Sequence, residues 1–162
     1  MVTAIELVAH MRTLAESDNA QAQVVMGHLY RTGKVLGQEE EPSGVLPNLA
    51  TAAEWFRRAA EGGSSDGQFQ YGVCCCNGLG VPVELTEAAS WFLKSALQGN
   101  PRAELELGRC LSDGIGVTAS PEKGVRMFRR SAAQGNTDAF VSLAMAYQAG
   151  EGVSRDPVQG LY

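Results

Sequence analysis

The sequence predicts an all-α fold, a stack of antiparallel helix pairs that repeats every 36 residues. Three observations carry that expectation. Aromatic pairs recur at one step, as Trp55-Phe56, Trp91-Phe92 and Met127-Phe128. Glycines keep the same step, as Gly63, Gly99 and Gly135, and as Gly72 and Gly108. A loop signature does so too: Gly78-x-Gly80-Val81, Gly114-x-Gly116-Val117 and Gly150-x-Gly152-Val153. Gly27 and Gly33 precede Gly72 and Gly78 by 45 positions, so the first unit carries a nine-residue insertion between Gly33 and Asn48. Self-similarity at such a period is the mark of a solenoid, in which each unit buries its apolar face only against its neighbours.

Each unit reads as two helices. Helix A covers about 20–32, 65–76, 101–112 and 137–148. In the third copy Ala103, Leu107, Cys110 and Leu111 fall on one face at i, i+4, i+7 and i+8. Asn100-Pro101 supplies an N-cap and a first-turn proline whose missing N–H costs nothing. Gly78, Gly114 and Gly150 can take the left-handed conformation that closes a helix. Helix B covers about 49–61, 85–97 and 121–133, with Ser120-Pro121 and Asp156-Pro157 as further cap-and-proline starts. It ends at Gly63, Gly99 or Gly135, beside an Asn or Ser that can cap the next helix. Residues 3–18 align with helix B and have no helix A before them, so they are expected to form an N-terminal capping helix. The resulting single repeat domain, 1–162, holds repeat 1 over 19–63, repeat 2 over 64–99, repeat 3 over 100–135 and an incomplete repeat 4 over 136–162. That makes about three and a half repeats in an α-solenoid.

A mid-helix glycine costs roughly 0.5–1 kcal/mol relative to alanine. The recurrence of Gly72 and Gly108 at one phase therefore predicts a helix contact too close for a β-carbon, with Ala60, Ala96 and Ala132 as the facing surface. Trp55, Trp91, Phe56, Phe92 and Phe128 are expected to fill the space between hairpins.

Composition narrows the function classes. A net charge of -5 disfavours a phosphate-neutralising face, so no nucleic-acid partner is expected. Arg57-Arg58 and Arg129-Arg130 read as solvated helix faces. Mean hydropathy is -0.10, and no run approaches the roughly 18 apolar residues of a membrane span. Membrane insertion is therefore not expected. The first ten residues hold Glu6 and His10 and lack the basic start of a secretory signal, so a cytoplasmic or nuclear setting follows.

Cys74 and Cys110 share one repeat position with Leu29 and Ala146. Stacked helices would hold them about 9–10 Å apart, beyond the roughly 7 Å that a disulfide allows. Consecutive thiols on a helix, as in Cys74-Cys75-Cys76, diverge too far to chelate one zinc. All four cysteines are read as structural, with no metal and no cofactor. His10 and His28 have no partner motif, and the Gly-x-Gly elements follow helices and lack the Lys-Ser/Thr of a phosphate loop. No catalytic constellation emerges, and the chain is expected not to be an enzyme.

Met26-Gly27-His28-Leu29-Tyr30-x-x-Gly33 and Tyr71-Gly72-x-Cys74-Cys75-x-x-Gly78-x-Gly80-Val81 occupy helix A and its loop. With Glu87-Ala88-Ala89-x-Trp91-Phe92-x-Lys94-x-Ala96-x-Gln98-Gly99 on helix B, this pattern resembles the Sel-one-like repeat family, a relative of the tetratricopeptide repeat. The resemblance covers residues 20–162. It implies a right-handed superhelix whose helix A surfaces line a concave groove, and adaptor roles in degradation complexes, signalling and host interaction. It carries no catalytic residue. Cys75 and Leu111 stand where the family has tyrosine, and Gly124 and Gly160 stand where it has alanine. The acidic segment 37–42, within the insertion 36–47, has no counterpart in the pattern. The secreted subtype with a disulfide inside each repeat is excluded, because helix B holds no cysteine.

Helix A positions not needed for packing form columns across the repeats. One holds Val25, Gln70, Glu106 and Ser142; the next His28, Val73, Arg109 and Met145; the third Thr32, Asn77, Asp113 and Ala149. They vary while the glycine and aromatic columns stay constant, as a binding face on a fixed scaffold would, and as neutral drift of a solvated face would too. The expected function is a scaffold that binds a protein partner, as an extended peptide or a helix, on that face. The alternative is a regulatory or targeting module of a longer enzyme or signalling protein. Tyr162 aligns with Arg126, one residue short of the last aromatic pair. The chain is therefore expected to be an excerpt whose Phe140, Leu143 and Tyr147 lack cover, with weak end-to-end self-association through that incomplete repeat.

Overall fold

In the computed structural model, residues 3–35 and 43–153 are described. They form α1 (Ala4–Glu16), α2 (Ala20–Thr32), α3 (Leu49–Glu61), α4 (Ser65–Asn77), α5 (Leu85–Leu97), α6 (Pro101–Asp113), α7 (Pro121–Ala133) and α8 (Thr137–Ala149). The chain divides into two compact units, Met1–Val83 and Glu84–Tyr162. The acidic segment 37–42, Asp156-Pro157, Gly160 and Tyr162 lie outside the described residues.

Local chemistry sets the helix ends. Asn19, Asn48, Ser64, Asn100 and Asn136 each accept a first-turn backbone N–H, the group a helix start leaves unpaired. At the other end Gly114, with φ 71°, turns its N–H back to the Cys110 carbonyl. Ser120 sits at the N-cap position of α7 but makes no side-chain cap. Its hydroxyl lies instead 3.5 Å from Glu122 Oε2, and Pro121 alone presets the first turn. Thr3 and Glu6 form a reciprocal capping box at the start of α1. Ala4, Val8 and Ala15 of that helix are buried in one cluster with Ala22, Met26 and Leu29 of α2.

Within each unit a helix A lies against the helix B that follows it, and glycine sets their separation. A β-carbon on Gly27 would collide with the Phe56 ring. One on Gly108 would lie 2.5 Å from Phe128 Cε1 and 3.2 Å from the Gly124 carbonyl. The close approach is thus real, but the facing surface is the phenyl ring, not Ala132. The Phe ring fills the space that the missing β-carbon leaves. Gly124, where the repeat elsewhere has Ala52 and Ala88, brings the α6 and α7 backbones closer still, since a β-carbon there would strike Ser112. The second glycine of the loop signature has a different task. A side chain on Gly116 would strike the Leu85 backbone, so this glycine seats the loop after α6 against the start of α5.

Phe56, Phe92 and Phe128 are buried as expected, whereas Trp55 and Trp91 are only half-buried. Each indole lies flat under a cation from the next turn. Arg58 lies 5.1 Å from the Trp55 ring centroid, and Lys94 Nζ lies 3.7 Å from that of Trp91. An indole has a polar N–H to place, and Trp91 donates it to Glu87 at 3.2 Å. In α8 only Phe140 of the three expected bare residues is exposed. Leu143 packs on Leu105, Phe128, Ala132 and Ala139, and Tyr147 accepts a hydrogen bond from Arg129.

One connection between repeats was not expected from the sequence. Gln23 and Gln68 hold equivalent positions, and their side-chain amides donate to the carbonyls of Ala15 and Ala60, at the end of the preceding helix. The third repeat has Glu104 there, which has no hydrogen to donate. Arg130 takes over. Its guanidinium lies 2.8 Å from Glu104 Oε1 and 3.5 Å from the Ala96 carbonyl. Gln134 donates to the other carboxylate oxygen at 2.8 Å. Glu104 is fully buried, so losing Arg130 leaves a desolvated charge.

Arg130→Ala should therefore destabilise the protein by about 1–3 kcal/mol in denaturant melts. In a Glu104→Gln background, where the amide reaches Ala96 directly, the same change should cost less than about 0.5 kcal/mol, as for an ordinary surface substitution. Equal costs in both backgrounds would contradict the exchange of roles.

Candidate partner-binding site

In the unit from Glu84 onward, the variable columns of helix A meet in one place. Arg109, Asp113, Ser142, Met145 and Ala149 line a cleft of about 520 Å³ between α6 and α8. The rest of its wall includes Ser112, Asp138, Val141 and Glu151. Ser112, Asp138 and Val141 lie on α6 and α8 outside the three columns, and Glu151 follows α8 in the loop, so equivalence of position alone does not mark them.

The cleft joins apolar and acidic surface. Val141 and Met145 are 59% and 65% exposed, high for side chains of that kind. Asp113, Asp138 and Glu151 stand against a single lining cation, Arg109. Arg109 is committed in part to Glu106, at 2.8 Å. Burial pushes the Glu106 carboxyl above its ordinary range, Arg109 opposes that rise, and the charge of Asp138 adds to it. The local field is therefore negative, and a cation from outside would relieve it.

The columns behave otherwise in the unit before Glu84. Gln70 is buried and accepts a hydrogen bond from Arg31 at 3.1 Å. His28 is half-buried, with its ring edge-on to Phe56 at 5.2 Å between centroids and its Nδ1 2.8 Å from Arg31. These two positions serve the packing of α2, α3 and α4 and present no open face. Val25 borders a small cleft with Leu7, Val8 and Met11 of α1. Thr32 and Asn77 are exposed, each bonded to a carbonyl one turn back, and Val73 is half-buried. Among the described residues no group of three His, Cys, Asp or Glu is placed to hold a metal ion.

Comparison with known proteins accords with this architecture. The Sel1 repeat model matches residues 20–64, 65–100, 101–136 and 141–162. The chain belongs to the Sel1 repeat family. Sel1 repeats are generally protein-interaction modules, and the fold is an α-solenoid of helix pairs. The crystal structure of c5321, a protective antigen of uropathogenic Escherichia coli with an SLR fold, is 35% identical, with a TM-score of 0.83 over 94% of this chain and 31% of that one. A Sel1 repeat protein of Oxalobacter formigenes is 29% identical, with a TM-score of 0.82 over 97% of this chain and 61% of that one. Cysteine-rich protein B of Helicobacter pylori, 18% identical, shares the fold at a TM-score of 0.60 over 84% of this chain and 91% of that one. No curated protein matches significantly. The chain spans about a third of the first of these relatives and 61% of the second.

In this Sel1 repeat chain the cysteines are free thiols at structural positions. Cys74, Cys75 and Cys110 are buried, as are Leu29 and Ala146 at the position that Cys74 and Cys110 share; Cys76 is half-buried. Burial pushes the Cys74 thiol up to about 11, far from the thiolate that reacts. Under native, non-reducing conditions at neutral pH, a maleimide should label Cys76 first, and Cys74, Cys75 and Cys110 only on unfolding. Mass spectrometry of the digest reads the order. Early labelling of Cys74, or a loss of two hydrogens per bridge in the intact mass, would overturn it.

Proposed function

We propose that the chain is a protein-interaction scaffold, without catalysis of its own, that binds a peptide or a partner helix on its helix A face. The convergence of five column residues on one cleft between α6 and α8 carries the reading. Its chemistry suggests the ligand: an apolar side chain set against Val141 and Met145, flanked by a basic residue that answers Asp113, Asp138 and Glu151. α1 serves as the N-terminal cap, its apolar side closed on α2. The acidic lining of this cleft does not suit nucleic acid.

A second reading has its own support. The chain spans 31% and 61% of two of its structural relatives, and a targeting or regulatory module of a longer enzyme or signalling protein is compatible with that. Both readings use the same cleft.

Selection from a displayed random-peptide library tests it. Recovered peptides should pair an apolar with a basic residue. They should bind the Arg109→Glu/Met145→Ser variant differently from wild type, and the Asp113→Lys/Asp138→Lys variant on the order of tenfold more weakly. Both variants should melt within about 1–2 °C of wild type, since exposed sites carry little stability. Peptides that bind all three proteins equally would sink the reading.

A further inference from the structure

A second cavity of the unit from Glu84 onward lies between its two B helices, α5 and α7. It measures about 890 Å³, with α5 and α7 as walls and Leu107 and Leu111 of α6 as floor. Repeat equivalence explains why it opens here. Positions 12, 57, 93 and 129 correspond, as do 30, 75, 111 and 147. Arg12 donates to the Tyr30 hydroxyl at 3.0 Å, and Arg129 donates to that of Tyr147. Between those two polar contacts the chain has Leu93 and Leu111 in place of arginine and tyrosine. Met127 replaces the tryptophan of the two preceding repeats. Three departures from the pattern thus meet in one groove, and together they leave it apolar and unfilled. Leu93 stays 46% exposed.

The rim departs as well. Lys123 stands where the other B helices have Thr51 and Glu87, and Arg126 where they have Glu54 and Ser90. With Arg129 and Arg130 they make four cations around the groove, and no carboxylate lines it. Arg130 is held by Glu104, and Arg129 by Tyr147. Lys123 and Arg126 are exposed and make no ion pair or hydrogen bond among the described residues. In a chain of net charge -5 such a cluster stands against the general balance.

We propose that this groove is a second docking surface, for an acidic peptide segment that seats apolar side chains on Leu93, Leu107, Leu111 and Met127 and sets carboxylates against Lys123 and Arg126. Charge complementarity selects the occupant, because a segment with both features satisfies an apolar floor whose charged lining residues are all cationic. The surface is independent of the helix A cleft, whose field has the opposite sign.

The test uses the full chain and a labelled synthetic helix with leucines at i, i+3, i+4 and i+7 and glutamates elsewhere. Fluorescence anisotropy should show binding that weakens as salt is raised. Lys123→Glu/Arg126→Glu should weaken it on the order of tenfold, and Leu93→Ser should weaken it at every salt concentration. Arg109→Glu, in the other cleft, should leave it unchanged, so that failure here and failure of the helix A reading are told apart. All these sites are exposed, and unchanged melting temperatures confirm folded variants. The proposal is overturned if the charge-reversed protein binds the probe as wild type does. It is equally overturned if the probe does not bind while phosphatidylglycerol vesicles do, because an anionic lipid surface is then the occupant.

Discussion

The distance between helix A and helix B is set by a glycine under a phenyl ring. Gly27 under Phe56 and Gly108 under Phe128 are the same contact in two repeats, and neither glycine has room for a β-carbon. Glycine inside a helix is unfavourable in isolation. What offsets it is the burial of a whole aromatic side chain in the vacated space, a larger gain than the helical cost. The remaining small residues follow from that spacing. Ala59 approaches Gly67, Gly124 approaches Gly108, and Gly116 lets its loop rest on the start of α5.

The outer faces are where the repeats diverge. On the helix A side of the second unit, Arg109, Asp113, Asp138 and Glu151 border a cleft of net negative charge. On the helix B side, Lys123, Arg126, Arg129 and Arg130 border a groove with no acid at all. One repeat frame therefore carries two surfaces of opposite sign. The Glu104–Arg130 pair shows that divergence within the frame is repaired locally: where glutamine became glutamate, an arginine from the next helix supplies the lost hydrogen-bond donor.

Much of this was legible in the sequence because a solenoid writes its contacts at one period. The 36-residue step located the helices, and the ends of α2 to α8 lie within a residue of those expected, whereas α1 stops at Glu16, two residues before the end expected for it. The burial of Cys74 and Cys110 followed from their sharing a position with Leu29 and Ala146. Periodicity gives phase but not direction, and the misreadings are of that kind. Ala132 shares the helix of the residue that faces Gly108, yet Phe128 one turn earlier reaches it, since a ring extends farther than a methyl group. Trp55 and Trp91 share the aromatic column but lie half-exposed under cations. Gln70 and His28 sit in variable columns yet point inward, because a column holds a position and not the partner that a long side chain finds there. The basic groove is not legible in any one column, because it needs three departures on three helices to coincide in space.

The separation of a glycine–phenylalanine frame from two free faces is most directly tested by comparing the melting temperatures of two variants. Gly108→Leu adds methylenes at the tight contact and should cost about 1–3 kcal/mol or more. A variant with Arg109, Asp113, Asp138, Met145, Lys123 and Arg126 all changed to alanine or serine removes both faces and should melt near wild type. A large loss in the second variant, or none in the first, would mean that the faces hold the fold together and that the glycine–phenyl contact does not.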